Sequence, residues 1–258
     1  MRLCHCSLLA ALLLALVLGC AAKTKFDFFY HVQQWPGSYC DTKHCCFPHG
    51  KKPAADFGIH GMWPNYAKCP HAGKCWPEFC DCNDQLDETL IEDLKDKLRR
   101  NWGTLSCRKH KLKRKHHKCD NEQQYTDGGM AFWGHEWLRH GTCSNMSQRQ
   151  YFQAALDFKA RFNLTAILRD AGIVPSETTT YNVSSIRDAV RDATGSTPKV
   201  QCNSHANEPQ LYQVYQCVGR DGRTPVACPK TAHEDDGGCT HGVVKFPVFE
   251  SLQLWSPE

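Results

Sequence analysis

The segment Phe132–Cys143, FWGHEWLRHGTC, carries the densest group of titratable side chains in the chain. Residues of an α-helix advance by about 100° each, so Glu136, Arg139 and His140 are predicted to share one helix face. His135 lies five positions before His140 and is predicted to point elsewhere. The segment therefore predicts a helix that presents an imidazole beside a carboxylate and a fixed positive charge.

This group is typical of proton transfer next to an anion rather than of zinc chemistry. A zinc-protease helix requires the pattern H-E-x-x-H, with histidines four positions apart, whereas these histidines are five apart. An imidazole, a carboxylate that orients it and a guanidinium instead suit general acid–base catalysis. An ordinary helix with surface charges explains the segment equally well when it is taken alone, so the interpretation depends on a second histidine upstream.

That second histidine lies in DFGIHGMWPNY, residues 56–66. Phe57 and Ile59 alternate with other residue types, which predicts a strand whose His60 faces away from the apolar side. A single histidine in such a strand is more often structural than catalytic. Together, His60 and His140 predict a site built from two distant parts of the chain.

Residues 1–22 have the pattern of a secretory signal peptide. Arg2 precedes an apolar run at 8–18, and small residues follow it. Residues 23–258 are then the mature chain, in which no stretch is long and apolar enough to cross a bilayer, so we expect it to be soluble. A bacterial lipoprotein pattern ending at Cys20 is an alternative, which the eukaryotic character of the remaining chain disfavours.

Cysteine usage agrees with export. Three of the 17 cysteines lie in the predicted signal peptide, and the even number that remains indicates a disulfide framework. Metal binding is the competing use of cysteine, but the Cys-x2-Cys pairs of zinc sites are absent from the sequence. Three Asn-x-Ser/Thr triplets predict glycan acceptors at Asn145, Asn163 and Asn182.

The rest of the chain predicts one α+β domain in which helices pack on an antiparallel, disulfide-rich sheet. Strands are predicted at 26–32, 198–203, 211–218 and 242–249, and helices at 87–102, 151–162, 164–171 and 185–193. The first helix carries a core-forming apolar stripe, made of Leu90, Ile91, Leu94, Leu98 and Trp102. The sequence contains no internal repeat and no linker that would divide it into domains.

A basic insertion occupies residues 108–118, RKHKLKRKHHK, between Cys107 and Cys119. Such a run cannot bury itself, so it is predicted to be a solvated surface loop. A second interpretation is an electrostatic funnel for a polyanion, whose affinity would fall steeply with salt. The formal net charge of the chain is only +4, so this local excess matters more than the total.

Two histidines and a fixed cation match the needs of RNA cleavage. The reaction requires a base for the 2′-hydroxyl, an acid for the departing 5′-oxygen and positive charge at the pentavalent phosphorus. Imidazoles with pKa values near 6.5 can fill the first two roles, and Arg139 beside Glu136 can fill the third without a metal ion. DNA lacks the attacking hydroxyl and would not be cut.

FGIHGMWP and FWGHEWLRHGTC closely resemble the two active-site segments of the ribonuclease T2 family, particularly its plant S-like members. FDFFYHVQQWPGSYCDTK, the LSC after the first long helix, LYQVYQCV and FPVF extend the resemblance over almost the whole mature chain. It implies a catalytic domain at 23–258 that cleaves single-stranded RNA through 2′,3′-cyclic phosphates to 3′-phosphates. It further implies a monomer without cofactor or metal, secreted or delivered to the vacuole.

The resemblance also assigns roles. His60 would be the general acid and His140 the general base, although the two assignments could be exchanged. His135 would hold the phosphate, and Glu136 with Arg139 would stabilise the transition state. Residues at base-contacting positions of the family are Gln34, Trp63, Thr104, Leu105 and Phe132.

The family pattern implies five disulfides: Cys40–Cys45, Cys46–Cys107, Cys80–Cys143, Cys202–Cys239 and Cys217–Cys228. The four remaining cysteines suggest the pairs Cys69–Cys75 and Cys82–Cys119. The chain departs from the family in its basic insertion and in Arg139, where the family usually has lysine. The rival to an enzyme is a non-catalytic relative that serves in storage, defence or polyanion binding.

Overall fold

The computed structural model describes residues 24–47, 52–70, 74–107, 119, 123, 125–229, 237–239 and 242–249. The predicted signal peptide, 1–22, and the basic insertion, 108–118, lie outside the described residues. No helix in the described ranges is long and apolar enough to span a membrane.

Six strands in the described part of the chain form one sheet. They are β1 (Phe28–Gln34), β2 (Gly58–Asn65), β3 (Thr180–Asn182), β4 (Lys199–His205), β5 (Glu208–Val218) and β6 (Val243–Lys245). The α-helices are α1 (Pro36–Thr42), α2 (Lys95–Asn101), α3 (Gly128–Arg139), α4 (Gln148–Arg161), α5 (Leu164–Asp170) and α6 (Val183–Thr194). Short 3-10 helices span Glu88–Leu94 and Gly141–Cys143. The predicted α+β class is confirmed.

The strand order is β2-β1-β5-β6-β3, with β4 paired to β5. All pairs are antiparallel except β5–β6, which is parallel at Gln210 and Lys245. The predicted antiparallel sheet is therefore mixed, because this one pair is parallel. The chain between β5 and β6 exceeds the dozen residues that a parallel connection needs, so it can return the chain in the same direction.

Two groups of buried side chains stabilise this sheet. One lies beneath α2, α3 and α4 and contains Trp102, Trp133 and Trp137. The other surrounds Trp35 and includes apolar residues of α5 and α6. Because each fully buried large apolar side chain contributes about 1.5–3 kcal/mol, these two groups hold β1, β2 and α3 in fixed relative positions.

The predicted helix at 87–102 is divided. Its first half is the 3-10 helix Glu88–Leu94, and only the second half, α2, is α-helical. A 3-10 helix has three residues per turn, so Ile91 and Leu94 align toward the core. Leu90 is turned outward and is 51% exposed, so its assignment to the core stripe is wrong.

Seven disulfides cross-link the described part of the chain. They are Cys40–Cys45, Cys46–Cys107, Cys69–Cys75, Cys80–Cys143, Cys82–Cys119, Cys202–Cys239 and Cys217–Cys228. These are the pairs expected above, so both cysteines that flank the basic insertion are anchored to other parts of the chain.

Candidate active site

A β-bulge places His60 in the site. Val32 of β1 pairs with Gly61 of β2, but its neighbour Gln33 pairs with Ile59, so His60 has no partner opposite it. A bulge re-aims the side chain of the extra residue. Simple alternation would put His60 and Trp63 on opposite faces, whereas here their rings are in contact, 5.0 Å apart between centroids.

Helix α3 supplies the opposite wall. The Asp127 carboxylate caps its first turn by accepting hydrogen bonds from the backbone N–H groups of Gly129 and Met130. The helix ends at Arg139, so His140 is its C-cap residue rather than part of the helix proper. The predicted common face of Glu136 and His140 nevertheless points at β2, because both side chains contact Trp63.

Trp63 connects the two histidines. The His140 ring stacks on its indole at a centroid distance of 5.2 Å and an interplanar angle of 29°. The His60 ring meets the same indole at an angle of 77°. Since each imidazole lies about 5 Å from one indole, the two rings are within about 10 Å of each other, a separation that one phosphate group with a hydrogen bond on each side can bridge.

Burial lowers the pKa of both imidazoles. For His60, desolvation followed by the nearby His135 and Arg139 charges lowers the pKa to about 4, while the contact with Gln213 opposes this shift. For His140, desolvation and the charges of Arg139, His135 and His60 lower the pKa well below 6.5. His140 Nδ1 is buried without a hydrogen-bond partner in the described part of the chain. Both imidazoles are therefore neutral at pH 7 in the free protein.

Glu136 lies against the strand at Gly61. Its Oε2 accepts a hydrogen bond of 2.9 Å from Trp63 Nε1, and the side chain is 3% exposed. A Cβ atom on Gly61 would lie 2.4 Å from Glu136 Oε2 and 2.0 Å from Trp63 Nε1, so only glycine permits this approach. Desolvation raises the pKa of Glu136 to about 7, although His135, Trp63 and Arg139 act in the opposite direction.

The guanidinium of Arg139 is held by the Glu78 carboxylate. Its Nε donates to Glu78 Oε2 over 3.1 Å, and Glu78 also pairs with Lys74 at 2.9 Å. Burial opposes ionisation of Glu78, but Lys74 and Arg139 keep the pKa of this carboxyl below its ordinary value. Within the described ranges the two Nη groups of Arg139 make no hydrogen bond. The guanidinium therefore still has N–H donors that can bind an anion.

Gln213 of β5 is a neighbour that the sequence did not identify. Its Nε2 lies 2.8 Å from His60 Nδ1 and 3.3 Å from Gln34 Oε1, and its Oε1 accepts from the Tyr215 hydroxyl at 2.8 Å. Tyr215 also packs edge-on against Trp63 at 6.0 Å. No signal in the sequence singled it out, because β5 carries three buried glutamines, Gln210, Gln213 and Gln216.

The residues expected to contact bases separate into two groups. Gln34, Thr104 and Leu105 line one cavity of about 790 Å³. Phe132 and Trp63 lie instead beside the histidines, with Phe132 stacked on His60 at 6.3 Å. The cavity is therefore connected to His60 through Gln34, since Gln213 contacts both residues.

The arrangement can transfer protons at two positions and stabilise an anion between them. In the described residues, one group of metal-ligating types comes together, His44, Cys46 and Cys107. Its two cysteines form a disulfide with each other and are thus not available as thiolates. The candidate site is therefore the group of side chains that contact Trp63, namely His60, Glu136 and His140.

Three comparisons with known proteins agree with one another. The ribonuclease T2 family model matches residues 26–228. Intracellular ribonuclease LX from Solanum lycopersicum is 43% identical over 239 residues, which cover 92% of this chain and 90% of that protein. Extracellular ribonuclease LE from the same species is 42% identical over 233 residues, which cover 88% and 90% respectively. The crystal structure of RNase NT in complex with 5′-AMP is 40% identical, covers 87% of this chain and 100% of its own, and aligns with a TM-score of 0.73.

Proposed function

The chain belongs to the ribonuclease T2 family and is a ribonuclease T2-type enzyme, and from this premise we propose how it cleaves RNA. The substrate is single-stranded RNA, and the reaction is metal-independent transesterification by the 2′-hydroxyl. The 2′,3′-cyclic phosphate formed first is hydrolysed to a 3′-phosphate. The observation that carries this proposal is the contact of two imidazoles with one indole.

His140 is the general base in this scheme. Its low pKa keeps the ring neutral, so a ring nitrogen can accept the proton of the 2′-hydroxyl. The resulting oxygen attacks phosphorus, and the bond from phosphorus to the 5′-oxygen breaks. In the second step the roles reverse, and water replaces the departed nucleoside.

His60 is the general acid. It must be protonated to donate to the 5′-oxygen, whereas in the free protein its pKa is about 4. The phosphate that binds between the rings carries a negative charge, which favours the imidazolium form and raises the pKa. Weakly acidic conditions therefore favour the first step, because they increase the protonated fraction of His60.

Positive charge at the phosphate comes from Arg139. The Glu78 carboxylate holds Nε, so the two Nη groups are preorganised to bind the equatorial oxygens. His135 lies on the same helix and supplies a second contact to the phosphate. Glu136 is held by Trp63 and stabilises the transition state together with Arg139, because its raised pKa lets it carry a proton that it can donate to a phosphate oxygen.

The cavity beside Gln34 binds the bases. Thr104 and Leu105 form part of its wall, and its volume of about 790 Å³ is in the range of nucleotide-sized ligand sites. Phe132 and Trp63 offer aromatic faces for stacking, which every base can use. This combination supports binding with little dependence on sequence, in a protein that acts as a monomer.

The compartment is proposed from the sequence together with the disulfides. The predicted signal peptide, the seven disulfides and the three glycan triplets all suit the secretory route. Asn145, Asn163 and Asn182 are exposed, as glycan acceptors must be. Related ribonucleases include both extracellular and intracellular proteins, so the destination is either the cell exterior or the vacuole.

The test is a digest of a DNA oligonucleotide that contains one ribonucleotide, carried out in EDTA. We expect one cut, after the ribonucleotide, with a 2′,3′-cyclic phosphate that later becomes a 3′-phosphate. The His140→Phe variant is the control and should leave the oligonucleotide intact. Cuts at deoxynucleotides, 5′-phosphate products or activity lost in EDTA would contradict the proposal, and an intact oligonucleotide would favour a non-catalytic RNA-binding protein.

A further inference from the structure

We propose that Gln213 is a positioning residue for His60, and that its side-chain amide holds Nδ1 so that Nε2 faces the substrate. Gln213 is 3% exposed, and its Nε2 lies 2.8 Å from His60 Nδ1. The same nitrogen reaches Gln34 Oε1 at 3.3 Å, so one amide contacts both the imidazole and a residue that lines the cavity. The inference rests on the acid role proposed for His60.

The first consequence concerns the tautomer of His60. An amide N–H can donate to Nδ1 only when that nitrogen carries a lone pair. Neutral His60 must then carry its proton on Nε2, at the opposite edge of the ring. Of the two ring nitrogens, Nε2 is the one left for the departing 5′-oxygen, so the contact fixes which atom donates.

The second consequence concerns the protonated form. An imidazolium carries N–H on both nitrogens, and Nδ1 then requires an acceptor. Rotation of the Gln213 amide by 180° replaces its Nε2 by Oε1 at this position, and the Gln34 amide must rotate with it so that Gln34 Nε2 donates to the new Oε1. The Tyr215 hydroxyl can adapt, because it can accept from the rotated amide while it donates to Gln201 Oε1 at 2.9 Å. Gln213 can thus serve His60 in both of the states through which an acid passes.

The backbone of the bulge supports the same orientation. Trp102 Nε1 donates to the carbonyl oxygen of His60 at 3.0 Å, and Trp102 is fully buried. Phe132 stacks on the ring from the helix side. The carbonyl of His60 is therefore held by a hydrogen bond and one ring face by an aromatic ring, and the contact with Gln213 sets the rotation of the imidazole about the Cβ–Cγ bond.

The first test measures the tautomer directly. With 15N-labelled histidine, NMR distinguishes a protonated ring nitrogen from an unprotonated one in the folded protein. At neutral pH, we expect His60 to carry its proton on Nε2 in the wild-type protein and to populate both tautomers in Gln213→Met. A proton on Nδ1 in the wild type, or an unchanged tautomer in the variant, would overturn the proposal.

The second test uses activity. In Gln213→Met we expect kcat to fall by about tenfold to a hundredfold, as for a misaligned catalytic group. The matched control is Gln216→Met, a buried glutamine on the same strand that contacts Gln33 rather than His60, and its kcat should stay at the wild-type value. Equal kcat losses in the two variants would reduce Gln213 to a packing residue and contradict the proposal.

The third test uses a nearly isosteric change. In Gln213→Glu the new carboxylate accepts from Nδ1–H and favours the imidazolium, against the positive charges of His135 and Arg139 that face His60. The limb of the kcat/KM profile that reports His60 should move to higher pH by about one unit or more. A profile that does not move would overturn the proposal. Full activity of a His60→Ala variant would instead refute the acid role of His60, and the tautomer measurement would still stand by itself.

Discussion

Histidines with a lowered pKa occur in two regions of this protein, and the two regions differ in solvent access and in the partners of the imidazole. His31 of β1 lies in the core beneath α4, where its Nε2 bonds to the Ala155 carbonyl at 3.0 Å. Its ring contacts Phe158 at 4.9 Å. Desolvation lowers the pKa of His31 to about 4, and the pKa of His60 in the site reaches the same value.

The comparison shows that a lowered pKa does not by itself mark a catalytic group. His31 is fully buried, so no substrate can reach it. His60 is partly exposed and has a side-chain amide that can adapt to a change in protonation. Access and an adaptable partner, rather than desolvation, distinguish the candidate active site from the core.

The largest expected effect is a loss of activity when a histidine of the candidate site is replaced, but not when His31 of the core is replaced. We expect His60→Ala and His140→Phe to lower kcat/KM by about a thousandfold, since general acid–base groups contribute 10²–10⁴-fold. His31→Gln keeps a nitrogen donor for Ala155 and should retain wild-type activity on RNA. Comparable losses in all three variants, measured with protein shown to be folded, would abolish the distinction.

The next effect concerns the close contact at Gly61. We expect Gly61→Ala to displace Trp63 and Glu136, which should lower kcat by roughly a hundredfold and destabilise the fold by about 1–3 kcal/mol. The control is Gly172→Ala, at a positive φ of 76° with no atom within 4 Å of the added carbon. Backbone strain in this variant should lower the free energy of unfolding by about 1–2 kcal/mol and leave kcat unchanged. A fully active Gly61→Ala enzyme would show that the approach of Glu136 to the strand is not needed.

The third effect concerns His31 in the core and is measured as a change of the unfolding free energy with pH. The pKa of His31 is about 4 in the folded state and 6.5 ordinarily, so the unfolded chain binds protons more readily between these values. Stability is therefore lost as the pH falls from 6.5 to 4, by about 3 kcal/mol from this residue. His31→Gln should flatten the curve of unfolding free energy against pH in that window. An unchanged slope in denaturant titrations would show that the protonation of His31 does not limit stability in acid.

The smallest effect tests the arginine that stands where the family usually has lysine. In Arg139→Lys, one ammonium must serve both Glu78 and the phosphate, so we expect kcat/KM to fall by about tenfold. Glu78→Gln should have a similar effect, because Arg139 loses its charged partner. Arg149→Lys, at a surface pair with Asp93, is the control and should change nothing. Higher activity with lysine would show that Glu78 withdraws the guanidinium from the phosphate.

Residue chemistry alone was sufficient to predict that His60 and His140 come together, as their contacts with Trp63 show, and to predict the helix that precedes His140. These predictions depend on local spacing and on which side chains can transfer protons near neutral pH. The predicted ends of α5 and α6 were also close to the observed ends, because these helices are followed by Gly172 and Gly195 with positive φ.

The remaining features depend on contacts between distant parts of the chain. The bulge at His60 exists only because β1 changes register between Val32 and Gln33. The contact of Gln213 with His60 requires β5 to lie beside β1, which no pattern within either strand reveals. The parallel pairing of β5 with β6 likewise depends on the path of the connection. For these features, tertiary pairing overrides simple alternation along a strand.

The most direct test of the central claim is an NMR titration of the histidine rings with a non-cleavable 2′-deoxy dinucleotide. If His60 and His140 flank one phosphate, both ring signals should shift on binding and the pKa of each should rise, while the signal of His31 stays where it was. A shift confined to one of the two site histidines, or an equal shift of His31, would contradict the account.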